Sequence, residues 1–189
     1  FLRLVAAGYN IYEAAATKVL GTEDTKGLKD KSPGTYSFIK ATVIGGDYQM
    51  GGDRFQTMAP AYTNGAYTPD KKQAAMDIAK HRAANPLIVQ RWHQHHAALM
   101  SSAINGDETH RIELASGRWL TYFHPKFVTV EDKKAGKTRR EMVVEQVLGD
   151  SPRRIYGGKA MENEIQATAR DIHRDAWVAL VDAGYVVNW

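Results

Sequence analysis

The hydrophobic period of this chain changes at Asn105-Gly106. Before that point apolar residues recur every three or four positions, and just after it they alternate, so helices precede strands. Among the leading segments, Asn10 with Glu13 forms an approximate capping box ahead of the Ala-rich stretch 11–20, which Gly21 closes. Residues 22–35 lack periodicity and read as an exposed loop. A helix is expected from Phe38 to Met58, although Gly45-Gly46 and Gly51-Gly52 each weaken it. Thr68-Pro69 and Asn85-Pro86 pair an N-cap residue with a first-turn proline, opening helices over 69–84 and 86–104. In the second of these, Ile88, Trp92, His96, Leu99 and Ala103 define a buried face.

Past Gly106, Ile112 and Leu114 face Trp119, Thr121 and Phe123 across a turn at Ser116-Gly117, a hairpin. A second strand pair is expected at 127–130 and 141–148, joined by a loop over 132–138. Met161, Ile165, Ala169, Ile172, Ala176 and Leu180 then make a long apolar helical stripe, ended by Gly184 before a closing strand. Helices, strands, helix, strand is the order of an α+β fold: mostly helical, with a partial antiparallel sheet and a long C-terminal helix.

A chain of 189 residues with 43% hydrophobic and 24% charged residues has enough apolar side chain for a core, as one domain or part of a larger one. No apolar run is long enough for a membrane span. The absence of cysteine removes disulfides, thiolate metal sites and thiol nucleophiles together, which suits a reducing cytoplasm and leaves His, Asp and Glu as metal ligands. Net charge is +4, with Lys133, Lys134, Lys137, Arg139, Arg140, Arg153, Arg154 and Lys159 close together. That cluster hints at a polyanionic partner, and equally fits a solvated basic surface.

Three segments carry chemistry. Lys40, Ile44 and Tyr48 lie at i, i+4 and i+8, so one helix face would present a cation, an aliphatic group and a ring, a suitable surface for a nucleotide. Tyr156-Gly-Gly-Lys159 precedes Asn163, Gln166, Arg170 and His173, whose spacing makes a polar ladder on a helix. Amides and guanidinium groups there can donate to the minor-groove acceptors that all base pairs offer. Ser116-Gly-Arg118-Trp-Leu120-Thr-Tyr122 places a guanidinium at a hairpin turn, able to clamp a backbone phosphate. Each segment also has a plain reading, as an ordinary helix face or a capped hairpin edge.

These segments, in this order, resemble the polymerase domain of family A DNA polymerases, specifically the phage-type DNA polymerase I group. Lys40, Ile44, Tyr48, Gly51 and Gly52 reproduce the pattern of that family's fingers helix, and Tyr156-Gly-Gly-Lys159, Glu162-Asn163 and Gln166-Ala-Thr-Ala-Arg170-Asp171 resemble its duplex-contacting segment. Gly8-Tyr9-Asn10-Ile11-Tyr12-Glu13 resembles the segment after the first catalytic carboxylate motif, and Ala183-Gly184-Tyr185 to Trp189 the strand before the second. The resemblance covers nearly the whole chain. It implies a palm-side helix at 1–21, fingers at 22–105 and a return to the palm at 106–189.

The resemblance further implies that Lys40 is catalytic, neutralising the incoming triphosphate and serving as a candidate proton donor to pyrophosphate, with Ile44 near the sugar and Tyr48 at the insertion site. Arg118, Tyr156, Lys159, Asn163, Gln166 and Arg170 would contact the primer-template duplex. Partners would be DNA and a dNTP, the cofactor Mg²⁺, and the protein a monomer of bacterial or phage-infected cytoplasm. Two features depart from the family. Tyr36 stands where an Arg usually meets the triphosphate, with Lys29 or Lys31 as candidate substitutes, and both Mg²⁺-binding carboxylate motifs would fall outside these residues. The 189 residues alone would then be inactive.

Two other readings compete. His93, His95 and His96 suggest a metal hydrolase, but no HExxH pattern accompanies them and His96 reads as a core-edge histidine. A noncatalytic basic DNA-binding module would use the same polar ladder. The flanking coding sequence separates that module from a polymerase.

Overall fold

The computed structural model describes residues 1–132 and 136–186. Lys133 and Lys134 of the basic cluster, and residues 187–189 of the expected closing strand, lie outside the described residues. Helices and a four-stranded antiparallel sheet confirm the α+β class. The chain divides into two compact units, residues 1–90 and 91–189. Among the described residues no helix is long and apolar enough to cross a membrane.

The first unit holds α1 (Leu2–Ala6), α2 (Ile11–Leu20), α3 (Leu28–Lys31), α4 (Pro33–Gly46), α5 (Gly52–Tyr62) and α6 (Lys71–Ala84). The capping box forms: Asn10 Oδ1 accepts from the Tyr12 and Glu13 amides at 2.9 and 3.0 Å, and Glu13 accepts from the Asn10 amide at 3.1 Å. The segment expected as a loop is partly helical. Leu28 of α3 is buried with Ala16, Val19 and Ile39, and the buried Thr25 hydroxyl donates to the Glu13 carbonyl at 2.9 Å. Tertiary burial orders residues that carry no period of their own.

The single helix expected over 38–58 is two helices. The Met50 amide donates to the Gly45 carbonyl and the Gln49 amide to the Gly46 carbonyl, with Gln49 at φ 66°, the Schellman pattern that stops a helix. α5 restarts at Gly52. Close approach explains two of the glycines: a Cβ on Gly46 would lie 2.4 Å from His81 Cδ2, and one on Gly52 would lie 2.8 Å from the Ala75 backbone. Asp70, rather than Thr68, caps α6, accepting from the Gln73 amide at 2.7 Å. Its carboxylate, one residue before the helix, has the reach that Thr68 lacks. Ala41, Phe55, Ala59, Ala74 and Ile78 form the core between these helices.

α7 (Pro86–Asn105) follows, then β1 (Thr109–Glu113), β2 (Trp119–Asp132), β3 (Lys137–Glu145), β4 (Arg153–Arg154) and α8 (Gly157–Asp182). The buried face of α7 is Trp92, His95, Leu99 and Ser102, so His96 is exposed and His95 takes the place expected for it. The hairpin turns at Gly117, φ 77°. The separate second strand pair does not occur: β2 is continuous and bends through an irregularity between Phe123 and Lys126, where His124 stands at φ 45° before Pro125. Proline lacks the ladder donor, and a bulge absorbs it without ending the strand. β3 starts at Lys137 and pairs with the unexpected β4. Leu99, Ile112, Tyr122, Met142, Val144, Ile155 and Ala160 close the second core.

α8 corrects another expectation. Met161 is buried, but Ile165, Ile172 and Leu180 are 47%, 66% and 43% exposed. The core reaches the first turns of α8, where Ala160 packs, and the apolar stripe beyond is bare apart from them. Tyr185 and Val186 carry no regular structure.

Candidate nucleic-acid interface

A groove of about 320 Å³ in the second unit is walled by Arg118, Tyr122, Gln146, Asn163, Gln166 and Arg170, among others. Steps of three and four residues put Asn163, Gln166, Ala167 and Arg170 on one face of α8, and the β1–β2 turn delivers Arg118 opposite them. Four of the side chains expected to meet duplex therefore share one concave surface.

Arg118 is held from behind. Its Nε donates to Asp171 Oδ1 at 2.9 Å and Oδ2 at 3.2 Å, and its Nη2 to the Ala167 carbonyl at 3.4 Å. Ser116 Oγ donates to Asp171 Oδ2 at 2.5 Å. The Ser116 hydroxyl, followed by the Arg118 guanidinium, holds the Asp171 carboxyl below its ordinary value against the opposing effect of burial. Across the groove Asn163 Nδ2 donates to the Tyr122 hydroxyl at 3.0 Å. Burial pushes that hydroxyl up to about 12, the Asn163 bond opposing, so it stays neutral at physiological pH.

Gln166 Nε2 donates to Glu162 Oε1 at 3.2 Å, while Lys159 Nζ donates to Glu162 Oε2 at 2.9 Å. Lys159 and Tyr156 are not groove walls: Tyr156 is the N-cap of α8, with the Arg154 guanidinium 5.5 Å from its ring centroid. Residue pattern alone missed Tyr122, Gln146, Ser116 and Asp171 as parts of the site. Asp171 directly follows Arg170 of the polar ladder, and that adjacency was the available signal.

In the first unit Lys40 lines a separate cavity of about 260 Å³ together with Lys29, Asp30, Tyr36 and Ser37. Lys31 instead pairs with Asp24 at 3.0 Å. Ile44 lies one turn beyond Lys40 on α4, but Tyr48 falls in the turn after Gly46, so the three do not share one uninterrupted helix. Ile44 and Tyr48 are half-buried and are not walls of this cavity.

Within the histidine cluster, the buried His95 meets a carboxylate. His95 Nε2 lies 2.7 Å from Glu164 Oε2, and Arg91 donates to both Glu164 oxygens. Burial raises the Glu164 pKa, but the Arg91 and His95 bonds and charges outweigh it and leave the net value lowered. His93 and His96 are exposed. Among the described residues no three His, Cys, Asp or Glu side chains come together to hold a metal ion. The resemblance places the carboxylates that would hold Mg²⁺ outside these residues, and no chemical step of this chain is derived through that ion. No protein-family model, curated protein or solved structure matches the chain.

Proposed function

We propose that this chain contributes the nucleotide- and duplex-contacting surfaces of a family A DNA polymerase, which transfers a nucleotide from a dNTP to a primer 3′ end during DNA replication. The observation that carries this reading is the shared groove of Arg118, Asn163, Gln166 and Arg170. With Gln146, it offers two guanidinium groups and three amides beside the aromatic and aliphatic surface of Tyr122 and Leu120. Guanidinium groups suit backbone phosphates, and amide donors suit the purine N3 and pyrimidine O2 atoms of the minor groove. Contacts of that kind follow a duplex whatever its sequence, as a replicative enzyme requires.

Lys40 would act at the other substrate. Phosphoryl transfer spreads negative charge over the triphosphate, and an ammonium group set against it stabilises the transition state. The cavity that Lys40 shares with Lys29 supports that role, with Ile44 and Tyr48 further along the same segment. The enzyme would work as a cytoplasmic monomer with primer-template DNA and dNTP as partners.

The test is primer extension by the full-length protein carrying this sequence, with Gln166→Ala compared across templates of differing terminal base pair. Loss of extension on every pair alike supports the reading. Loss confined to one pair overturns it. Salt-dependent duplex binding without any extension selects the noncatalytic DNA-binding module instead.

A further inference from the structure

We infer that Asp171 is the positioning residue of the groove, holding Arg118 side-on through Nε so that the Nη1 end of the guanidinium is presented to a DNA backbone phosphate. The inference rests on the duplex-binding reading above.

An acidic side chain beside a polyanion-binding groove is unfavourable on charge alone, so its placement asks for a reason. Asp171 is 4% exposed, and both its oxygens are engaged by the β1–β2 turn, Oδ2 by Ser116 and both by Arg118 Nε. The Arg118 side chain is 40% exposed. Its Nε edge is occupied by Asp171 and its Nη2 by the Ala167 carbonyl, whereas Nη1 has no protein partner among the described residues. The fork therefore keeps one end for a ligand while the other is fixed by a carboxylate. An arginine held in this way gives up its rotamer freedom on folding rather than on binding, which is how preorganisation raises affinity. Ser116 completes the brace: its hydroxyl bonds Asp171, and its Oγ also accepts from the Arg118 amide at 3.4 Å. Turn, guanidinium and α8 are thereby fixed as one unit.

Charge and positioning predict opposite signs for one substitution. Asp171→Asn removes a negative charge near DNA, so simple electrostatics makes the variant bind duplex more tightly. Positioning makes it bind more weakly, because Arg118 is released. The measurement is fluorescence anisotropy of a short mixed-sequence primer-template duplex with the whole chain, from about 50 to about 200 mM salt. Asp171→Asn should weaken binding by about tenfold, the scale of one charge-assisted hydrogen bond. It should also flatten the log–log salt dependence by about 0.9, one phosphate contact, as Arg118→Ala does. Adding Asp171→Asn to Arg118→Ala should weaken binding no further, because only the loss of a negative charge is then left to act. Ser116→Ala, which leaves every charge in place, should weaken binding in the same direction and keeps the question open to test if Asp171→Asn does not fold. The Arg118 Nε–Hε NMR signal should be sharp in the unaltered chain and lost to exchange in Asp171→Asn.

Equal or tighter duplex binding by Asp171→Asn, with Gln166→Ala still weakening it, overturns the inference and leaves the polymerase reading standing. Absence of duplex binding by the unaltered chain overturns both. A retained Nε–Hε signal in Asp171→Asn also overturns the inference, since the carboxylate would then not be what fixes the guanidinium.

Discussion

Asn163 on α8 donates from Nδ2 to the hydroxyl of Tyr122 on β2 across 3.0 Å, joining a groove-wall amide to a tyrosine only 1% exposed. Tyr122 belongs to the second core with Leu99, Ile112 and Met142, so its ring fixes the amide against a rigid support. Tyr122→Phe keeps the ring and removes the acceptor. Asn163 is half-buried and can turn its amide to water, so the cost should be about 1 kcal/mol rather than that of a stranded donor. Urea unfolding of the two chains measures it, and a loss several times larger would mean that the hydroxyl has a further role in the core.

Glu164 contributes to the acid limit of the second unit. Its carboxyl lies below the usual value of 4.5 because Arg91 and His95 outweigh the cost of its burial. A group whose folded pKa is depressed contributes stability that is present above the unfolded value and is lost as pH falls through the folded one. Glu164→Gln should therefore flatten the acid limb of the stability–pH curve below about 4.5, while leaving the slope above neutrality unchanged. Glu164→Ala also strands His95 Nε2, in a side chain 6% exposed, and should cost about 1–3 kcal/mol at neutral pH. Denaturant melts across a pH series check both. An unchanged acid limb in Glu164→Gln would remove the pair from the account.

Sequence pattern reached local structure further than it reached packing. The Asn10 cap, the Ser116-Gly117 turn and the onset of α7 at Pro86 were legible because each depends on side chains a few residues apart. The break between α4 and α5 was not, because Gln49 closes the helix in a conformation usually supplied by glycine. His95 and His96 could not be told apart either: both fit the spacing from Trp92 and Leu99, and the choice depends on Glu164, far along the chain. The apolar period of α8 gave the helix correctly but not its burial, since period says which residues share a face and nothing of what meets it. In the groove the ladder on α8 was legible from spacing, while Asp171 and Tyr122 entered only through contacts between α8 and the β1–β2 hairpin.

Gly157 and Gly34 separate close approach from helix propensity. A Cβ on Gly157 would lie 2.0 Å from the Trp92 carbonyl oxygen, a backbone atom that cannot swing aside. Gly157→Ala should cost about 3 kcal/mol, the upper part of the overpacking range. Gly34, in the first turn of α4, has nothing within 4 Å of that position. Gly34→Ala should stabilise by about 0.5 kcal/mol through helix propensity. Thermal melts of the two variants should move in opposite directions. Tolerance of Gly157→Ala would show that α7 and α8 can separate there at little cost.

The cavity of Lys40 makes a prediction about its neighbours, conditional on the polymerase reading. Lys29 and Lys40 line it together, whereas Lys31 turns to Asp24 at 3.0 Å. An ammonium held against a triphosphate acts on binding and on the developing charge alike, so distance from the transferring phosphate decides which kinetic constant responds. Lys40→Ala in the full-length protein should lower single-turnover incorporation by about 10²–10³, as losing one such electrostatic donor does, with duplex affinity unchanged. Lys29→Ala should raise KM for dNTP with kcat nearly unchanged, the signature of lost ground-state binding. Lys31→Ala, whose ion pair is exposed at both ends, should alter neither constant. Asp30 is the cavity's acidic wall, and Asp30→Asn should lower KM by removing repulsion from the phosphates. A dNTP titration of the four variants decides the assignment. Equal effects of Lys29→Ala and Lys31→Ala would reduce the role of Lys29 to diffuse surface charge, and an unaffected rate in Lys40→Ala would take this cavity out of the nucleotide site.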